Sequence, residues 1–336
     1  MALLRRAIAL SMCLACPGCA GWQSALDPHG EQARGLEGLI WIFIWVAVAV
    51  WLSVMVVLAV ALSRKSGRVR DETRLLDPKG ERRMRLTVGS AVVATGVIVL
   101  ALTIVSFVST RLVSADASRP LEIRVRGYQW WWEVTYLDAH ADQVFTTANE
   151  IHIPVGRPVR LQLSAADVIH SFWAPNLAGK QDLIPGRENN LTFTAQQPGT
   201  YRGQCAEFCG VQHAHMALLV VAETPEAFEH WRQSQLAPAA SPANPEQAEG
   251  RKVFTSKPCA SCHTIQGTSA SASIGPDLTH LASRSYIGAG LLQNTRGALA
   301  AWIADPQTIK PGNNMPNVPL TADELRSVSA YLAALK

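Results

Sequence analysis

Two long runs without a charged residue, at positions 41–62 and 86–108, constrain the fold of this 336-residue chain more than any other feature. At a rise of ~1.5 Å per residue, a helix of either length crosses the ~30 Å hydrocarbon core of a bilayer. A helix buried in a soluble core is the alternative, but uncharged runs this long are typical of membrane spans. We therefore predict a transmembrane hairpin over residues 36–110, with helices at about 39–63 and 86–109.

The connector between the two runs is strongly basic, since nine Lys or Arg residues lie between Arg64 and Arg85. Short basic connectors stay in the cytoplasm, so both ends of the chain are predicted to lie outside. This predicts a multi-pass protein of a bacterial inner membrane whose polar portion, from about residue 109 onward, is periplasmic. Because the basic residues are concentrated here, the net charge of +4 does not indicate a nucleic-acid partner.

The first twenty residues resemble a signal peptide in their composition. Arg5 and Arg6 precede a short apolar run at positions 7–15, which is too short to span a bilayer, and small residues follow. Residues 1–20 are therefore predicted to be a signal peptide. Cys16 and Cys19 are candidates for a lipid-modified N-terminus, although neither follows a good lipobox, and this question stays open.

A loop at positions 204–216 is rich in candidate metal ligands. The spacing C-x-E-x-x-C-x-x-x-H-x-x-M runs from Cys205 through Cys209 and His213 to Met216. Two thiolates, an imidazole and a thioether are soft and borderline ligands, which select copper over hard cations. A Cys₂His₂ zinc site and a disulfide between the two cysteines are the alternatives, but neither explains the methionine.

Alternating apolar and polar residues predict β-strands on both sides of this loop. The segments are residues 121–125, 159–163, 191–194, 199–202 and 216–222, separated by Pro and Gly turns. Such short strands indicate a β-sandwich or barrel of antiparallel type. His170, just past one strand, is placed to supply a second histidine, whereas His215 in the loop competes with His213 for the same role.

A second motif, C-x-x-C-H at Cys259, Cys262 and His263, is typical of covalent haem c attachment, with the histidine as an axial ligand. Haem c attachment takes place outside the cytoplasm, in agreement with the predicted orientation. Met315 is the only methionine after His263 and is the predicted sixth ligand. His280 is its rival.

An Ala-, Pro- and Ser-rich segment at residues 233–245 is predicted to link the two metal-binding portions. The following domain, residues 246–336, is predicted to be helical. A helix begins at Pro245, and the Thr321–Glu324 pair is an N-terminal capping signature for the last helix.

The first of these domains, residues 118–232, resembles subunit II of haem–copper oxidases, whose binuclear copper centre is called CuA. The resemblance rests on Gly-Tyr-Gln-Trp-Trp-Trp at 127–132, His-Ser-Phe-Trp-Ala-Pro at 170–175, Gly-Gln-Cys at 203–205 and Met216. It implies a cupredoxin-like Greek-key barrel. It also implies the copper ligands: Cys205 and Cys209 bridge two coppers, His170 and His213 bind one each, and Met216 and the Glu207 carbonyl complete the set. By the same resemblance, the Glu207 side chain binds a magnesium ion. Trp130 matches the position at which electrons enter.

Residues 245–336 resemble a class I cytochrome c, and the domain order is that of a cytochrome c oxidase subunit II with a fused cytochrome c. The expected protein is thus a multidomain membrane protein with a transmembrane hairpin, a cupredoxin-like antiparallel β-barrel and an all-α cytochrome c domain. By resemblance it passes electrons from haem c to CuA and on to subunit I, where oxygen is reduced and protons are pumped. The oxygen chemistry lies in that other subunit.

The resemblance also implies partners: subunit I, subunit III, the lipid bilayer, and an electron donor such as a cytochrome bc complex or a soluble cytochrome c. A CuA-containing subunit of a nitric oxide reductase is the alternative function, because it could share the copper loop and the membrane attachment. Glu81, near the inner end of the second span, is a candidate for proton uptake, and a simple ion-paired glutamate is the competing interpretation.

Overall fold

A computed structural model describes residues 20–65, 78–113 and 119–336. The predicted signal peptide, with Cys16 and Cys19, and most of the basic connector therefore lie outside the described residues, apart from Ala20 at the end of the peptide. The described residues divide into two compact units, one formed by residues 35–65 and 78–113 and the other by residues 20–34 and 119–336.

The unit that starts at Gly35 contains two long helices, α1 (Glu31–Lys65) and α2 (Pro78–Val113). The first four residues of α1 belong to the other unit. Both extend beyond the uncharged runs, because the flanking polar residues continue the helix. Each has a stretch long and apolar enough to cross a membrane, at Glu31–Ser63 and Pro78–Ser109. Large apolar side chains such as Val57 and Val92 are exposed, which fits a lipid-facing helix and not a buried soluble one.

The copper-type domain is built from two five-stranded sheets, with strand orders β3-β2-β1-β5-β8 and β4-β10-β9-β6-β7. The strands are β1 (Leu121–Tyr128), β2 (Trp131–Tyr136), β3 (Phe145–Ala148), β4 (Glu150–Pro154), β5 (Val159–Ala165), β6 (His170–Trp173), β7 (Gln181–Leu183), β8 (Asn189–Phe193), β9 (Gly199–Cys205) and β10 (Ala217–Glu223). Alternation in β5 buries Val159, Leu161 and Leu163, as the sequence pattern predicts.

The cupredoxin-like fold class is confirmed, with one difference from the expected antiparallel barrel. The pairings β1 with β5 and β4 with β10 are parallel. Their partners are separated by other strands along the chain, so a crossover brings them side by side, which alternation within one strand cannot reveal.

The N-terminal segment before α1 belongs to this domain. The Gly30 amide donates to the Asn176 carbonyl at 3.0 Å, and the Arg202 amide donates to the Trp22 carbonyl at 2.7 Å. Residues 20–34 therefore cover one side of the domain.

Helix α3 (Pro225–Leu236) ends the copper-type domain, with Thr224 as its N-cap. The helix extends to Leu236, into the segment 233–245 that is predicted as a linker. Phe228 is buried in the core of the domain, and Trp231 and Leu236 pack against that core. This packing stabilises the helix up to the start of the Pro/Ala-rich segment.

The haem-type domain contains α4 (Pro245–Ser256), α5 (Arg296–Ala304), α6 (Pro306–Ile309) and α7 (Ala322–Leu332). Helices α4 and α7 pack closely, with the Phe254 and Tyr331 rings 6.5 Å apart, and the predicted capping box at Thr321 and Glu324 is present. The domain is not purely helical, since β11 (Tyr286–Ile287) and β12 (Leu292–Gln293) form a short hairpin.

Candidate metal centres

The candidate copper loop is held at both ends by paired strands. Cys205 is the last residue of β9 and Met216 precedes β10, and these two strands pair antiparallel. The Cys205 amide donates to the Met216 carbonyl at 2.9 Å, so the loop closes at its base. Both residues, and Cys209, are buried at the edge of the domain core.

The loop gathers the predicted donor atoms around one small volume. Cys205 Sγ lies 3.7 Å from Cys209 Sγ and 3.2 Å from the Glu207 carbonyl oxygen. Cys209 Sγ lies 3.6 Å from His213 Nδ1 and 3.8 Å from Met216 Sδ. The sulfurs are too far apart for a disulfide bond, and both cysteines are free.

His170 reaches the loop from the neighbouring strand β6. Its Nδ1 lies 3.9 Å from Cys205 Sγ, while its Nε2 lies 2.8 Å from Asp167 Oδ1. Ligand atoms of His170, Cys205 and Cys209 all lie within 4.8 Å of one another. A carboxylate on the far nitrogen fixes the orientation and tautomer of a ligating histidine. Asp167 was not predicted as a site residue, although it stands only three residues before His170.

The electrostatics of the loop favour a thiolate at Cys205. The hydrogen bond between the two thiol groups lowers the pKa of Cys205 to about 3 and raises the pKa of Cys209. Burial lowers the pKa of His170, but its bonds to Cys205 and Asp167 outweigh burial and raise that pKa. The donor set of two sulfurs, two imidazoles, a thioether and a carbonyl fits soft metals, and it offers more ligands than one tetrahedral zinc uses.

His215, the competing histidine, does not point at the sulfur cluster through Nδ1. That nitrogen lies 2.7 Å from Gln212 Oε1, and the residue is exposed. The structure thus brings His213, and not His215, to Cys209.

Trp130 contacts the loop from the turn between β1 and β2. Its indole Nε1 donates to the Cys209 carbonyl at 2.9 Å, and the side-chain amide of Gln129 donates to the same oxygen at 2.8 Å. Trp132 is fully buried, and Trp131 stacks on Tyr128 with ring centroids 4.7 Å apart. The side chains of the three tryptophans therefore do not all face the same side of the sheet, in agreement with the alternation expected along a strand.

The haem-type domain contains a cavity of about 270 Å³. Its walls include the predicted attachment and axial residues Cys259, Cys262, His263 and Met315. Trp130 and Trp131 of the copper-type domain also line it, so one cavity borders both domains.

His263 is held as an axial ligand would be. Its Nδ1 lies 2.7 Å from the Pro276 carbonyl oxygen, which leaves Nε2 for a metal. A Cβ at Gly275 would lie 2.7 Å from His263 Cε1, so only glycine lets the ring sit here. Burial lowers the pKa of His263, which favours the neutral, metal-binding form.

Two further residues bear on whether a haem fits the cavity. Arg284 is buried and lines the cavity, and its Nε has no hydrogen-bond partner among the described residues, which suits an anionic group such as a haem propionate. His280 faces elsewhere, with its ring nitrogens 2.9 Å from the carbonyl oxygens of Ala237 and Lys336. The cavity thus favours Met315 over His280.

Two exposed carboxylates complete the predicted set. The Glu207 side chain, within the copper loop, is exposed. Glu81 is paired with Arg85 at 2.5 Å, one helical turn away, which favours the ion-paired interpretation over proton uptake.

The chain matches family models over both metal-binding domains. The family model for the periplasmic domain of cytochrome c oxidase subunit II matches residues 137–223, and the cytochrome c model matches residues 247–336. Cytochrome c oxidase subunit 2 of Alkalihalophilus pseudofirmus is 32% identical over 329 residues, covering 95% of this chain and 93% of that protein. This chain belongs to the cytochrome c oxidase subunit II family.

Other members of the cytochrome c oxidase subunit II family match shorter stretches. The Bacillus subtilis subunit 2 is 31% identical over 231 residues, covering 66% of this chain and 64% of that protein. The crystal structure of the periplasmic domain of subunit II from Bradyrhizobium japonicum covers 36% of this chain and 96% of its own, with 32% identity and a TM-score of 0.34.

Family membership makes this chain part of a haem–copper oxidase complex. Its subunit II domain implies CuA copper, and its cytochrome c domain implies haem. With the two apolar helices, membership also indicates a membrane protein with an extracellular domain.

Proposed function

We propose that this oxidase subunit carries electrons from a haem c in its C-terminal domain to CuA and onward to subunit I. The observation that carries the proposal is the position of Trp130. Its side chain lines the haem-type cavity, and its indole donates to the carbonyl of Cys209. One residue thus contacts both candidate centres, and it is where electrons would enter the copper loop.

The proposed ligand sets follow the geometry of the two sites. His170, Cys205, the Glu207 carbonyl, Cys209, His213 and Met216 would hold the two coppers. When bound there, the two coppers would supply a one-electron redox site. The other four donors each lie within 3.9 Å of one of the two thiol sulfurs, which supports this assignment.

For the haem, Cys259 and Cys262 would form the covalent attachment, with His263 and Met315 as axial ligands. The cavity walls bring these four residues together, and Gly275 leaves room for the His263 ring. A haem c so bound supplies a one-electron carrier. The neutral form of His263, favoured by burial, keeps its free nitrogen available to the iron.

The proposed setting is a bacterial inner membrane, with α1 and α2 crossing it and both metal domains on the periplasmic side. Subunits I and III and a donor such as a cytochrome bc complex or a soluble cytochrome c would be the partners. The exposed Glu207 side chain is available to a magnesium ion at the surface facing subunit I.

Purification of the intact complex tests the proposal. We expect two coppers and one covalent haem per subunit II, and oxygen consumption with a reduced cytochrome c as donor. Consumption of nitric oxide without oxygen consumption would instead favour the nitric oxide reductase alternative. Zinc in place of copper would overturn the proposed copper site.

A further inference from the structure

The haem-type and copper-type domains meet in a contact that includes a buried lysine. Lys310 follows α6 and is only 2% exposed. Its Nζ donates to three backbone carbonyls, those of Trp130 at 2.8 Å, His215 at 2.8 Å and Gly288 at 2.9 Å. The first two belong to the copper-type domain, and the third to the β11–β12 turn of the haem-type domain.

The three carbonyl acceptors favour the charged form of the lysine. A neutral amine has two N–H groups, whereas the three oxygens around Lys310 accept three hydrogen bonds, which only an ammonium donates. No carboxylate is among these partners. Burial lowers the pKa of Lys310 to about 7, so the position is unfavourable for a charge, and the three carbonyls offset that penalty.

The carbonyls that Lys310 binds lie at functional points of the copper-type domain. Trp130 is held from two directions, because its indole donates to the Cys209 carbonyl while its own carbonyl accepts from Lys310. The His215 carbonyl belongs to the ligand loop, between the proposed ligands His213 and Met216. A shift of Lys310 would therefore move the haem-type domain relative to both Trp130 and the loop.

We propose that Lys310 is a positioning residue, which fixes the haem-type domain on the copper-type domain in the register that brings the haem cavity against Trp130. The role rests on the proposed function, the transfer of electrons from haem to CuA. In that step one electron leaves the haem, which is oxidised, and enters the copper pair, which is reduced. No proton or ligand is transferred.

Other contacts around Lys310 define the same register but are individually weaker. The Ala217 amide donates to the Ala289 carbonyl at 3.0 Å, and the Ser285 amide donates to Glu150 at 3.0 Å. A Cβ at Gly290 would lie 2.8 Å from the Ala217 Cβ, so the surfaces touch closely. Each is a single hydrogen bond or packing contact, whereas Lys310 joins three segments at once.

The substitution Lys310→Met in the intact oxidase tests this role, because methionine keeps much of the apolar stem and removes the three donors. Lys252→Met is the matched control, since Lys252 is exposed on α4 and forms an ion pair with Glu249 within that helix. Two readouts apply. Hydrogen exchange reports the Ala217 and Ser285 amides, whose bonds cross the interface, and flash reduction of the haem reports its electron transfer to copper.

In Lys310→Met we expect faster exchange at the two interface amides, with unchanged exchange in strand β1. Electron transfer from haem to copper should slow by roughly 10- to 100-fold, as a displaced reaction partner does, while the spectra and potentials of both centres stay as in the parent. Lys252→Met should change neither readout. Lys310→Gln, which keeps two N–H donors without the charge, gives the same test if Lys310→Met does not assemble.

Parent-like exchange at both interface amides and parent-like transfer in the Lys310 variant would overturn the proposal. An absence of electron transfer from haem to copper in the parent protein would instead contradict the proposed function. In that case, hydrogen exchange at the Ala217 and Ser285 amides would still show whether Lys310 holds the two domains together.

Discussion

Individual side chains in the copper loop have separable roles. Cys205 and Cys209 are the proposed bridging ligands, whereas the His215 ring is exposed and bonded to Gln212. We predict that Cys205→Ser abolishes the mixed-valence electron paramagnetic resonance signal of a two-copper centre. His215→Ala should keep that signal and the copper content. Loss of the signal in His215→Ala, with His213→Ala unaffected, would reverse the assignment of the ligating histidine.

Asp167 is expected to act on the proposed copper centre through His170. Asp167 Oδ1 lies 2.8 Å from His170 Nε2, and Asp167 Oδ2 accepts a hydrogen bond from the backbone amide of Gln129 at 2.6 Å. Partners of this kind typically contribute about 10- to 100-fold to metal affinity. We therefore expect Asp167→Asn to weaken copper binding by about that factor in a chelator competition, while the exposed Asp142→Asn retains parental affinity. Equal affinities in both variants would remove Asp167 from the site.

Helices α4 and α7 pack closely against each other at Gly250, and this contact predicts the effect of substitutions there. A Cβ at Gly250 would lie 2.0 Å from the Ser327 carbonyl oxygen, so the helices approach through a glycine. Gly250→Ala should destabilise the haem-type domain by ~1–3 kcal/mol through overpacking. Gly297→Ala in α5, where the added Cβ meets nothing within 4 Å, should be neutral or stabilising. Thermal unfolding followed at the haem checks both, and equal melting temperatures would contradict this packing.

Strands β4 and β10 and helix α3 enclose a histidine that couples stability to pH. The ring nitrogens of His152 each lie 3.0 Å from a carboxylate oxygen, one of Glu150 and one of Glu223, and the ring stacks on Trp231. Burial lowers the pKa of His152, but hydrogen bonds and charges of the two carboxylates together outweigh burial and raise it above 6.5.

The sign of the pH effect follows from that raised pKa. The stabilisation is complete below the unfolded-state pKa of about 6.5 and is lost as the pH rises through the higher pKa of the folded state. The free energy of unfolding of the full chain should therefore fall as the pH rises above 6.5, and His152→Gln should reduce that fall. The exposed His140→Gln should retain it. Identical pH profiles for the parent and His152→Gln would exclude this coupling.

Across the whole molecule, the sequence predicts features whose residues are close together in the chain. The proposed copper ligands from Cys205 to Met216 occupy one loop, so their spacing alone indicates soft-metal chemistry. The C-x-x-C-H motif and the apolar runs are likewise local patterns. These are the parts of the fold and site that could be predicted.

Features that depend on distant residues could not be predicted in this way. Lys310 binds carbonyls 180, 95 and 22 residues away, and a backbone carbonyl carries no sequence signature. The parallel strand pairs and the packing of residues 20–34 on the copper-type domain also depend on the tertiary fold. Asp167 is a partial exception, because its position three residues before His170 offers a weak signal that needs the structure to interpret.

The most direct test of the whole account is time-resolved reduction of the intact oxidase by a small photoactivated donor, followed at the haem and copper absorbances together. The account predicts that the haem is reduced first, and that its reoxidation and the reduction of copper share one rate constant. That rate constant should not depend on protein concentration, because the two domains belong to one chain. If copper is reduced equally fast in a chain truncated at Gln235, with no external cytochrome c present, the haem-type domain is not its donor and the central claim is wrong.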